Sequence, residues 1–145
     1  MSYLLDTSLV VAALTAEIYT AQAHDWLDLH RAEPLWISEW GLTECSAALS
    51  FKARTGQLSV EEQLLARDVL SRMVAETLGR ILVTSLQFQL AGELAARVDT
   101  GLRAGDALHL ATAMDVGATI VTLDTGMARA AEVLGISFDL VQRKR

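Results

Sequence analysis

Thr119-Ile120-Val121-Thr122-Leu123-Asp124-Thr125-Gly126 is the stretch that decides the fold. Its short apolar core lacks the strict alternation of a half-exposed strand. It therefore reads as a strand buried on both faces, as in a parallel sheet. The run then breaks at Asp-Thr, a helix-start signal. The beginning of the chain echoes it, because Tyr3-Leu4-Leu5 is followed by Asp6-Thr7-Ser8. Either aspartate alone reads as a helix cap. Both motifs, however, offer spare capping hydroxyls. Thr7 or Ser8 is expected to cap the first helix and Thr125 the later one, which leaves Asp6 and Asp124 for other work.

Working outward, Leu35-Trp36-Ile37, Ile81-Leu82-Val83 and Phe138–Val141 supply further short β-type runs. Helical signals fill the gaps. Ser59-Val60-Glu61-Glu62 is a capping box, followed by Leu65, Val69 and Met73 at helical spacing. Thr84-Ser85-Leu86-Gln87 is a second start, with Leu86, Leu90 and Leu94 on one stripe. Gly56, Gly79, Gly117 and Gly135 sit where helices should stop. The predicted order is β-α-α-β-α-α-β-α-α-β-α-β. Strands joined by helical crossovers imply a parallel sheet covered on both faces. Such sheets place their ligands at the carboxyl ends of the strands, where the strand order switches.

The 145 residues suit a single domain, 1–145, and 52% hydrophobic with 21% charged content excludes an intrinsically disordered chain. Twelve basic against eighteen acidic residues give a net charge of −6, which argues against a general polyanion-binding surface. Cys45 is the single cysteine, so an intrachain disulfide and multi-cysteine metal sites are excluded, and a cytoplasmic setting is expected. One proline and few aromatics disfavour a loop-rich all-β domain. Met1-Ser2-Tyr3 lacks the basic start of a targeting signal, and apolar runs such as Leu9–Leu14 fall short of a membrane span. The basic tail Arg143-Lys144-Arg145 reads as a solvated terminus.

Two more carboxylates join the aspartates. Around Glu44, positions three and four residues away are Trp40, Gly41, Ala47 and Ala48, a small, apolar surface. Glu44 is therefore expected on the buried face of a helix, where a cation or a basic partner must compensate it. Asp106 shares a helix face with Leu110 and Ala113, with Arg103 one turn earlier. Alone, that segment reads equally as an i,i+3 ion pair. Together, Asp6, Glu44, Asp106 and Asp124 carry about four negative charges, a load two divalent cations neutralise. Oxygen ligands suit Mg²⁺ or Mn²⁺. The lack of thiolates and of paired histidines speaks against Zn²⁺. Such a site suits phosphodiester hydrolysis by activated water.

The stretches Tyr3-Leu-Leu-Asp6-Thr7-Ser8, Leu42-Thr-Glu44, Leu102-Arg-Ala-Gly-Asp106-Ala-Leu-His-Leu-Ala111 and Ile120-Val-Thr-Leu-Asp124 resemble PIN-domain ribonucleases, above all the VapC-type toxins of toxin–antitoxin pairs. The resemblance covers nearly the whole chain in order, and the segment around Asp106 is its most specific part. It implies a three-layer α/β/α sandwich with a central parallel sheet of four to five strands. It further implies a Mg²⁺- or Mn²⁺-dependent endoribonuclease acting on structured RNA and inhibited by a cognate antitoxin, and related toxins are commonly homodimers. By position, Asp6, Glu44, Asp106 and Asp124 match the family's acidic quartet. Thr7, Ser8 and Thr122 match polar residues that support it.

The remaining residues carry less. Arg103, Lys52 and Arg54 are the best candidates for substrate contact among the basic residues. His24, His30 and His109 lack a partnered nucleophile, and His109 reads as a packed helix residue. Cys45 reads as a small core residue, and Trp26, Trp36 and Trp40 as core or interface anchors. Two rival functions remain open. One is an aspartyl phosphatase-like phosphoryl-transfer enzyme, although Ser8 stands where such enzymes place a second aspartate. The other is a non-catalytic PIN-like binding module, which would have to bury four carboxylates without a metal.

Overall fold

The computed structural model describes residues 1–142, so the expected solvated tail Arg143-Lys144-Arg145 lies outside the described residues. Among the described residues, twelve elements follow in the predicted order. They are β1 (Tyr3–Leu5), α1 (Thr7–Leu14), α2 (Thr20–Leu29), β2 (Leu35–Ser38), α3 (Glu39–Arg54), α4 (Val60–Glu76), β3 (Leu78–Ile81), α5 (Ser85–Ala96), α6 (Ala104–Val116), β4 (Thr119–Thr122), α7 (Thr125–Leu134) and β5 (Phe138–Leu140).

The strands form one five-stranded sheet in the order β3-β2-β1-β4-β5. Every pairing is parallel. The central strand β1 pairs on one side through Tyr3↔Leu35 and on the other through Leu5↔Val121. Side chains alternate across the pleat. Tyr3, Leu5, Ile37 and Val121 pack beneath α1 to α4 on one face. Leu4 and Ile120 pack beneath α5, α6 and α7 on the other. A strand that is apolar at every position is what two helical layers require. The fold is the expected three-layer α/β/α sandwich. From β1 the chain builds outward to β2 and β3, then crosses back to β4 and β5. The strand order therefore switches between β1 and β4, whose carboxyl ends carry Asp6 and Thr122.

Helix ends follow their local chemistry. Ser59–Glu62 and Thr84–Gln87 both form reciprocal capping boxes. Gly117 and Gly135 end α6 and α7 at φ +69°, a conformation costly for any residue with a Cβ.

Two expectations shift. The third strand is Leu78–Ile81, not Ile81–Val83, and Gly79 lies inside it instead of ending a helix. Leu35↔Leu78 and Ser38↔Ile81 set this register, and Leu82 beyond it is 70% exposed. Gly79 is needed because a Cβ there would stand 2.3 Å from the Trp36 ring. The stripe Leu65, Val69, Met73 is helical, but the buried residues of α4 are Ala66 and Leu70. Leu65 and Val69 instead line an open groove with Leu14 and Leu58.

The two glycines Gly79 and Gly92 make opposite predictions. Gly92 lies in α5, and a Cβ added there would meet nothing within 4 Å. Gly92→Ala should stabilise by about 0.5–1 kcal/mol, the usual gain inside a helix. Gly79→Ala should destabilise by about 1–3 kcal/mol through overpacking against Trp36. Urea unfolding of both variants checks the signs.

Candidate active site

Asp6 leaves the end of β1 in extended conformation and caps no amide of α1 with its side chain. Only 4% exposed, it places its carboxylate between three elements. Its Oδ2 accepts from Ser8 Oγ and Thr122 Oγ1, each at 2.7 Å. Its Oδ1 lies 3.5 Å from His109 Nε2. Thr7 and Ser8 do not cap α1 as expected. Ser8 serves Asp6 and also accepts the Leu123 N–H at 3.0 Å. Thr7 reaches across to donate to Glu44 Oε1 at 2.8 Å.

Glu44 is half-buried on α3. Its Oε1 accepts from Thr7 and is hydrogen-bonded to His109 Nε2. The basic partner that a buried Glu44 demands is therefore His109, contributed by α6. Burial alone would raise the Glu44 pKa. The hydrogen bond and charge of His109, with the Thr7 hydroxyl, outweigh it and hold the carboxyl below its ordinary range. The same contest runs the other way in His109. Burial opposes its charge, but the bond to Glu44 and the charges of Asp6, Glu44 and Asp106 raise its pKa.

Asp106 sits in the first turn of α6, one turn before His109. Its carboxyl is held above the ordinary range by burial, then by the charges of Asp6, Asp124 and Glu44, with His109 in partial opposition. Gly105 lets this helix start close to α3. A Cβ there would stand 3.2 Å from Glu44 Oε2 and 3.3 Å from the Trp40 ring.

Asp124 departs from expectation. Its Oδ1 accepts from the N–H groups of Gly126 at 2.8 Å and Met127 at 3.2 Å, so Asp124 caps α7 and Thr125 does not. An ionised carboxylate is the better cap, because it also meets the positive end of the helix. Its backbone N–H donates to Thr122 Oγ1, which in turn donates to Asp6. Asp124 thus stands exposed at the rim, joined to Asp6 through one hydroxyl.

The basic candidates are dispersed. Arg103 is the exposed N-cap residue of α6 and makes no ion pair with Asp106 among the described residues. Lys52 meets Glu17 at 2.7 Å, and Arg54 lies over the Phe51 ring. His24 contacts the Ala13 carbonyl and His30 stacks on Trp26, both away from the cluster. Trp26 is core, with its indole N–H donating to Asp139. Cys45 is core as expected. Burial, then the charges of Asp6 and Glu44, push its thiol up to about 12, so it is no nucleophile.

His109 reads as a packing residue in the sequence, and the structure assigns it to the site. Its i+3 spacing from Asp106 is the signal that could have found it. One ligand atom each from Asp6, Glu44 and His109 lies within 4.8 Å of the others. His109 Nδ1 is buried without a hydrogen-bond partner among the described residues. The donor set is mostly carboxylate oxygen with one imidazole and no thiolate. It fits a hard divalent cation of the Mg²⁺ or Mn²⁺ kind.

These features define an α/β domain with an acidic, cation-suited site at the topological switch point of a parallel sheet. The chain belongs to the PIN-domain family, whose profile matches residues 3–133. It is 30% identical to Ribonuclease VapC35 of Mycobacterium tuberculosis over 92% of each chain. In fold it resembles the structure of VapBC2 from Rickettsia felis bound to a promoter DNA fragment, with a TM-score of 0.73, 20% identity and coverage of 98% and 100% of the two chains. It also resembles M. tuberculosis VapC20, a sarcin-ricin loop cleaving toxin, with a TM-score of 0.68, 17% identity and coverage of 88% and 94%.

The Glu44–His109 contact is directly measurable. In His109→Leu the lowering influences of the imidazole vanish while burial remains, so the Glu44 pKa should rise. Carboxyl-resolved NMR titration of the metal-free protein reads this shift. An unchanged or lower Glu44 pKa would show that the imidazole does not hold it.

Proposed function

We propose that the chain is a Mg²⁺- or Mn²⁺-dependent endoribonuclease that cleaves structured RNA, and that it is the toxin of a toxin–antitoxin pair. The observation that carries this reading is the gathering of Asp6, Glu44 and His109 at the switch point, with Asp106 one helical turn before His109. Relatives that are ribonucleases or toxins support it.

In this reading Asp6, Glu44 and Asp106 hold the cation, with Asp124 at the rim. When bound, the ion supplies an activated water and neutralises charge on the phosphodiester. The chain's own residues prepare the site. Ser8 and Thr122 fix one oxygen of Asp6, leaving the other toward the cluster. Thr7 and His109 both engage Glu44 Oε1 and so orient its Oε2. Fixed carboxylates lose little entropy when a ligand arrives, which favours a preorganised site. The phosphatase reading loses ground, because Ser8 is bound to Asp6 and offers no second acid.

The partner is a small antitoxin, and solved VapBC complexes among the structural neighbours favour it. The open groove lined by Leu14, Leu58, Leu65 and Val69 gives such a peptide an apolar seat. An arginine from it would reach the carboxylates, since its planar fork bridges two of them. We place the active unit as a homodimer of single 1–145 domains in the cytoplasm. Among the described residues no helix is long and apolar enough to cross a membrane.

Asp6→Asn and Asp106→Asn should each abolish RNA cleavage at saturating Mg²⁺ with the fold intact. Wild-type rates in either variant would refute the assignment. Millimolar Mn²⁺ should raise the melting temperature of the wild type, by relieving carboxylate repulsion, and not that of Asp6→Asn. An absent shift in the wild type would count against the cation site. Expression of the chain alone should arrest growth, and co-expression of the antitoxin should restore it.

A further inference from the structure

Beside the acidic cluster a cavity of about 500 Å³ opens to solvent. Its inner wall is formed by Thr7, Ser8 and Asp124, which also frame the cluster. Its outer wall is formed by Phe51, Lys52 and Gln57, at the end of α3 and just beyond. The volume falls within the roughly 300–1,000 Å³ typical of small-molecule sites.

The outer wall carries an unusual set of groups for a surface. The Phe51 ring is 54% exposed and is not part of either core. The Arg54 guanidinium stands 5.9 Å from its ring centroid. Gln57 Nε2 donates to Thr55 Oγ1 at 3.0 Å, which leaves its Oε1 as an acceptor. The Lys52 ammonium meets Glu17 at 2.7 Å, and a three-proton donor keeps protons for other acceptors. Glu44 and Phe51 are seven residues apart on one helix, so they share a face about 10 Å apart. One substrate strand can touch both.

We propose that this cavity is a nucleotide subsite. It takes the base and ribose of one nucleotide next to the phosphate at the acidic cluster. The base stacks on Phe51, its edge meets the Gln57 carbonyl, and Lys52 and Arg54 hold the flanking phosphate. The inference rests on the nuclease reading above. Stacking tolerates every base, and the amide adds preference for a base that presents a donor. Position favours RNA over a peptide as occupant. The cavity shares Thr7, Ser8 and Asp124 with the frame of the acidic cluster, so a strand whose phosphate lies at the cluster continues into it. Glu17, which pairs with Lys52, also lines the wall, so the exposed Phe51 ring and the Gln57 amide and not net charge suit a nucleotide. An apolar peptide has the adjoining groove over Leu14, Leu65 and Val69, which meets this cavity at Lys52 and Gln57.

The test has two arms. The metal-free protein is titrated with the four nucleoside 5′-monophosphates and with ribose 5-phosphate, and the NMR signals of Phe51 and Gln57 are followed. Nucleotides should shift them, and base-free ribose 5-phosphate should not. The response should vanish in Phe51→Ala and persist in Phe51→Tyr. No response to any nucleotide, or an equal response to ribose 5-phosphate, overturns the subsite. In the second arm RNA is cleaved with Mn²⁺. Phe51→Ala should raise KM about five- to hundredfold, a larger change than in kcat, with Mn²⁺ affinity unaltered. Gln57→Ala should flatten the base preference beside the cut. If the wild type cleaves no RNA, the nuclease reading fails and the first arm alone decides on the cavity. If Phe51→Ala leaves nucleotide binding and cleavage unchanged but weakens a co-purified protein partner, the cavity belongs to that partner and the proposal falls.

Discussion

A carboxylate buried at the end of the central strand is the constraint on which the rest of this molecule depends. Asp6 is 4% exposed, and an ionised carboxylate left there without partners would cost several kcal/mol. Its satisfaction draws on three separate elements. Ser8 comes from α1, Thr122 from the end of β4, and His109 from α6. The strand order makes this possible, because β4 pairs directly with β1 and delivers Thr122 to the same end of the sheet. The Asp6 N–H is tied to the Val121 carbonyl at 2.9 Å, which fixes the seam before any side chain is placed. The hydroxyls satisfy one oxygen and the imidazole approaches the other. The site is therefore polarised toward the cluster by its own hydrogen bonds.

Much of this was legible in the sequence, for identifiable reasons. Short, mostly apolar strands and the two capping boxes point to the element order, and the helical crossovers between strands make the sheet parallel. The echo of Asp-Thr after two such strands pointed to the switch point. Glu44 was legible through its small apolar neighbours, and the demand for a compensating charge was legible with it. What supplied that charge was not. His109 lies 65 residues away in sequence, and only the packing of α6 against α3 brings its ring to Glu44. That approach depends on Gly105, whose missing side chain leaves room for Glu44 and Trp40.

The other departures have the same origin in competition between local and long-range partners. Thr7 and Ser8 were good helix caps by local chemistry, but Asp6 and Glu44 make better use of their hydroxyls. At α7, Asp124 takes the Gly126 and Met127 amides that Thr125 was expected to cap. At the sheet's edge, the apolar run Ile81-Leu82-Val83 suggested a strand three residues later than the one β3 forms. Its register was chosen by β2, through the fit of Trp36 over Gly79, a contact between residues that no local pattern connects.

To bind an anionic strand, as proposed, an acidic chain must concentrate what positive charge it has. Several of its arginines are already committed to neighbours: Arg72 to Asp68, Arg80 to Glu39 and Arg97 to Asp99. Helix α3 resolves the problem along its length. Its middle carries Glu44, turned to the acidic cluster, and its end carries Phe51, Lys52 and Arg54. Basic residues at a helix C-terminus are favoured by the dipole, so the arrangement is stable in its own right. A carboxylate of the acidic cluster and an aromatic rim bearing Lys52 and Arg54 are thereby held on one rigid rod, two turns apart. Because both ends share a single helix, the distance between them is set by backbone geometry and not by loop conformation. A strand that places its phosphate at one end meets the rim at a fixed offset.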